Sequence, residues 1–104
     1  MFLSVNLGNA CHLDINDLTR SVAVWAADDP ADVENWFFIL PYVTTGRNGI
    51  NKGVAIKLFH GCSISWDGRV LFHCTSVTKT AQDKNVYACM FGVSKNNKTN
   101  ESEQ

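Results

Sequence analysis

The chain has 104 residues, 45% of them apolar and 18% charged, with a formal net charge of −1. That length holds one domain, able to bury roughly two-thirds of the surface its unfolded chain would expose. The near-zero charge gives no strong nucleic-acid signal and no attraction to an anionic membrane surface, and no apolar run is long enough to span a bilayer.

Short β-like runs divided by turn signals dominate the chain. The first covers residues 2–6 and lacks the basic and apolar regions of an export signal. That predicts an intracellular protein, cytoplasmic or nuclear, whose four cysteines (Cys11, Cys62, Cys74 and Cys89) stay reduced. His12-Leu13-Asp14 comes next. On an extended backbone residues two apart share a face, so the imidazole and the carboxylate project together.

A second strand is expected over residues 21–25. Asp29 can cap, Pro30 suits a first helical position, and a single helical turn over residues 31–34 follows from them. Further strands are expected at 35–43, 53–58, 62–66, 69–77 and 85–93. Trp36-Phe37-Phe38-Ile39-Leu40 is apolar on both faces, which predicts a strand covered on both sides. Asp67-Gly68 lies between two β runs and predicts a hairpin with a type I′ turn, because both residues accept positive φ. The domain spans residues 1–94, and residues 95–104 form a polar, unpatterned tail expected to be disordered.

The 69–77 run places His73 at its centre. If His73 points inward, Val70, Phe72 and Cys74 point outward, and all three are apolar. That outer face predicts a cover from outside the domain, either a second copy of the chain or a further part of a larger protein. Trp25 and Trp66 read as core aromatics of their strands.

Two histidines and one carboxylate on one side of a metal form the facial triad that suits Fe(II) and leaves positions open for other ligands. On these residues the chain resembles the 2-oxoglutarate/Fe(II)-dependent dioxygenase superfamily. His12-Leu13-Asp14 stands where that family's HxD motif opens a strand. Gly61 to Val77 is similar to its distal-histidine segment, and Asn85-Val86-Tyr87-Ala88-Cys89-Met90-Phe91 to its last strand. The resemblance implies an all-β, jelly-roll-like double-stranded β-helix with Fe(II) held by His12, Asp14 and His73. It also implies 2-oxoglutarate as co-substrate, its distal carboxylate paired with a basic residue. Lys84 fits best by position, with Arg69 and Lys57 as alternatives. The primary substrate has no signature in the chain.

Two other readings stand beside this one. Cys11-His12, His60-x-Cys62 and His73-Cys74 could gather into a structural zinc site, although adjacent strand residues face opposite ways and each pair offers one ligand. The chain could also be a non-catalytic β-sandwich that binds a partner, or a fragment of a larger oxygenase.

Overall fold

The computed structural model describes residues 2–6, 8–43, 53–80 and 83–92. Among them the secondary structure is all β. The strands are β1 (Phe2–Val5), β2 (Ser21–Ala27), β3 (Val33–Glu34), β4 (Phe37–Leu40), β5 (Val54–Lys57), β6 (Ser63–Trp66), β7 (Cys74–Thr75), β8 (Lys79–Thr80) and β9 (Val86–Phe91). One sheet has the order β1-β9-β2-β6, a second the order β5-β4-β7, and β3 pairs with β8. Every ladder is antiparallel. A lone bridge between His12 and His73 lays the segment around His12 along the free side of β7, as a fourth limb of the second sheet.

Period-2 burial builds the interior. In β2, Ser21, Ala23, Trp25 and Ala27 are buried, while Val22 and Val24 face out. In β9, Val86 and Ala88 turn inward. Phe38 of β4 joins the two sheets. Its ring lies 5.8 Å from Trp25 of β2 and 4.7 Å from Trp66 of β6. Trp36, Leu58 and Cys62 complete this core.

Four expectations are corrected. Asp29 does accept a bond from the Ala31 N–H (3.3 Å), and Asp32 N–H reaches the Asp29 carbonyl (3.1 Å), but no helix follows. The backbone pairs with β8 instead, Val33 with Thr80 and Glu34 with Lys79. Asp67-Gly68 is not a type I′ hairpin, since neither residue has positive φ. It is the crossing between sheets, because β6 pairs with β2 while β7 pairs with β4. The apolar run at residues 36–40 is covered fully on one side only: Trp36 and Phe38 are buried, whereas Phe37 and Ile39 are half-buried. Of the outward trio, Cys74 is buried, Phe72 stacks on Tyr42 at 5.4 Å, and Val70 is exposed.

Asn35 takes a left-handed φ of 59°, which bends the chain between β3 and β4. Ser76 holds this bend by donating to the Asn35 carbonyl and accepting from the Phe37 N–H at 2.9 Å. The expected tail at residues 95–104 lies outside the described residues. Among the described residues no helix is long and apolar enough to cross a membrane. On the outer face of the four-stranded sheet, Leu3, Val5, Val22, Val24 and Phe91 are exposed.

Candidate metal centre

The site is made where the His12 segment lies against the approach to β7. His12 and His73 exchange both backbone hydrogen bonds, at 3.0 and 3.1 Å, so their Cα atoms are locked opposite each other. The Asp14 N–H then donates to the Gly68 carbonyl at 2.7 Å, which brings the carboxylate in under the crossing loop. As a result His12 Nε2 lies 3.3 Å from Asp14 Oδ1, and His73 Nε2 lies 3.1 Å from Asp14 Oδ2. One ligand atom from each of the three residues falls within 4.8 Å of the others.

The imidazoles are oriented for this. His12 Nδ1 is 2.9 Å from the Ala10 carbonyl, and His73 Nδ1 is 2.7 Å from the Leu71 carbonyl. A carbonyl oxygen only accepts, so each Nδ1 must carry the proton. The neutral ring then presents a lone pair at Nε2, toward Asp14. Two lone pairs aimed at a carboxylate require positive charge between them, supplied by protons on Nε2 or by a metal ion. His73 is sealed, with a 3% exposed side chain, and the Trp66 and Phe38 rings pack at 5.4 and 5.8 Å. His12 and Asp14 are 40% and 31% exposed, so the centre opens to solvent on their side.

Gly68 is the residue the turn reading missed. It is buried, and a Cβ placed on it would stand 2.7 Å from Asp14 Oδ2 and 3.3 Å from His73 Cε1. Its glycine serves clearance over the carboxylate, not positive φ. Nothing in the local sequence separates those two uses. Asn9 was missed as well. Its side chain accepts from the Thr75 N–H (2.8 Å) while its own N–H donates to the Thr75 carbonyl (3.1 Å), tying the His12 segment to β7.

The basic candidates do not converge on the triad in the same way. Arg69 is exposed and clamps Asp67 through two contacts of 2.9 Å, which holds the Asp67 carboxyl below its usual range. Lys57 is on the exposed face of β5, opposite Ile56, which packs on the core. Lys84 is exposed just before β9, where its carbonyl accepts from Thr80 Oγ1 at 2.8 Å. The buried polar side chains are Ser21 and His73 alone among the described residues. Two buried indole N–H groups, Trp25 Nε1 and Trp66 Nε1, have no acceptor among those residues. Trp25 also borders a small cavity of about 10 Å³ with Trp36, Thr75 and Val86.

The zinc alternative is not assembled. His60 Nδ1 accepts from the Ala27 N–H at 3.1 Å and so closes the end of β2. The Cys62 carbonyl accepts from the Trp25 N–H, extending the pairing of β2 with β6. Cys11 and Cys74 lie on the reverse side of the strands that carry His12 and His73. Burial, and then a hydrogen bond with Cys11, pushes the Cys74 thiol up to about 11. Among the described residues, His12, Asp14 and His73 form the one cluster of three or more metal-ligating side chains.

No family model matches this chain, and no curated protein matches it. Its function is therefore read from the geometry.

Proposed function

We propose that the chain is the core of an Fe(II)/2-oxoglutarate-dependent dioxygenase, with His12, Asp14 and His73 as the iron ligands. The observation that carries the reading is the convergence of both Nε2 atoms on one carboxylate, each ring fixed through Nδ1 to a backbone carbonyl. Two imidazoles and a carboxylate from one side suit Fe(II) and leave coordination positions free. The clearance at Gly68 fits a carboxylate that must stay in place.

The strand order supports a double-stranded β-helix. Counting the His12 bridge and setting aside the separate β3–β8 pair, each sheet has four limbs, and successive limbs alternate between sheets except at the β4–β5 hairpin. A loaded centre of this kind supplies O₂-dependent oxidation of an unreactive C–H bond, coupled to decarboxylation of 2-oxoglutarate. The chain's own part is to hold the metal from one side, wall it from the core with Trp66 and Phe38, and leave the His12 side open. Lys84 is the residue we assign to the co-substrate carboxylate, on its position just before β9; it is exposed as Lys57 is, while Arg69 is occupied by Asp67. The absence of a buried cation among the described residues favours a second reading, a metal-binding β module without 2-oxoglutarate.

The deciding experiment is an anaerobic titration with Fe(II) and then 2-oxoglutarate, in wild type and His73→Ala. A visible charge-transfer band present in wild type and absent in His73→Ala is the expected result. A rise in melting temperature with Fe(II) but no band would select the second reading. A folded protein showing neither would overturn both.

A further inference from the structure

His12 and His73 exchange both backbone hydrogen bonds, which makes them a hydrogen-bonded antiparallel pair. The bridge is isolated: further along, the Thr75 N–H donates to Asn9 Oδ1 and the Asn9 N–H to the Thr75 carbonyl. Cys11 and Cys74 lie between these two fastenings, next to the histidines and on the opposite face. Facing antiparallel positions stand about 4.5–5.5 Å apart at Cα, inside the roughly 4.4–6.8 Å that a disulfide spans. The two side chains are near enough for Cys11 to act on the Cys74 thiol, and both are free thiols.

We propose that Cys11 and Cys74 are an oxidant-responsive thiol pair that closes into a cross-strand disulfide on the back of the metal-ligand strands. Cys11 is half-buried and Cys74 buried, so Cys11 meets a small oxidant first. With hydrogen peroxide, the Cys11 sulfur attacks one oxygen, the O–O bond breaks, and water leaves a sulfenic acid. The Cys74 sulfur then attacks that sulfur, and its proton leaves with the hydroxyl as a second water. In sum, two thiols lose two electrons and two protons, and one peroxide becomes two waters.

The consequence is local. Between β1 and β2 the described chain has no strand, and the segment carrying His12 and Asp14 is held to β7 by the His12 bridge and the Asn9 contacts. A disulfide at Cys11–Cys74 would fasten that segment covalently beside His73 without moving either ring. Tighter metal binding in the oxidised form is therefore expected, a step that rests on the metal reading above.

The test treats the metal-free full chain with hydrogen peroxide, alkylates the remaining thiols after denaturation, and maps the peptides by mass. A Cys11–Cys74 linked peptide, 2 Da lighter than the sum of its parts and absent from Cys11→Ser, is expected, with a melting temperature raised by about 5 °C or more. Recovery of both cysteines as alkylated thiols, or linkage to Cys62, Cys89 or a second molecule instead, would overturn the proposal. Wild-type protein alone decides that arm, so an unstable variant does not blunt it. Co(II) titration of reduced and oxidised protein then reads the consequence, expected as several-fold tighter binding after oxidation. Equal binding would overturn the lock. No Co(II) binding in either form would overturn the metal reading and the lock with it, while the linked peptide would still stand on its own.

Discussion

Gly68→Ala separates a metal centre from an ordinary buried polar cluster. The added methyl would lie 2.7 Å from Asp14 Oδ2, 3.3 Å from Asp14 Cβ and 3.3 Å from His73 Cε1. Cβ atoms essentially never approach a heavy atom below 3.0 Å, so the carboxylate must move by at least about 0.3 Å. Metal sites tolerate only about ±0.2 Å in their ligand distances. Asp14 is partly exposed and its oxygen is the end of a short side chain, so the fold can absorb this motion cheaply. Gly68 has no left-handed φ, and replacing glycine with alanine there narrows the unfolded ensemble by about 0.4–1 kcal/mol. That gain offsets part of an overpacking cost of about 1–3 kcal/mol. The expected outcome is a melting temperature changed by a few degrees together with a 10- to 100-fold weaker metal affinity, about 1.4–2.7 kcal/mol. Chelator competition with Fe(II) or Co(II) under anaerobic conditions measures the affinity, and a thermal melt measures the stability. Wild-type affinity in folded Gly68→Ala would refute the reasoning, because Asp14 would then not be a ligand held under that residue.

Phe38→Ala removes the ring that joins the sheets and should cost about 3–5 kcal/mol, a large share of a small domain's stability. Urea denaturation checks it; a loss under about 1 kcal/mol would mean that the sheets do not pack through this residue. Ser76→Ala leaves the Phe37 N–H without its side-chain acceptor and should cost about 1–2 kcal/mol with metal affinity unchanged, read by the same denaturation and by Co(II) titration.

Much of the β pattern was open to local reasoning. Alternation along Ser21-Val22-Ala23-Val24-Trp25 shows one buried face, and the i, i+2 placement of His12 and Asp14 follows from extended backbone, because both depend only on near neighbours in the chain. Where local chemistry had two uses, the reading went astray. Asp29-Pro30 can start a helix or a turn, and pairing of Val33–Glu34 with β8 settled it. Asp67-Gly68 can make a hairpin or a crossing. Its role was decided by Trp66 packing against Phe38 while β6 took β2 as its partner.

The candidate metal centre shows the division most clearly. The chain alone supplied the residue types, two histidines and an aspartate, and the expectation that they could meet. Only the tertiary structure brought His73 opposite His12, because strand partners are chosen by burying aromatic side chains far apart in sequence. The same holds for the cations. Charge is written in the sequence at Lys57, Arg69 and Lys84, but the side each one faces depends on which neighbours the folded sheets bury, and that is a property of the whole packing.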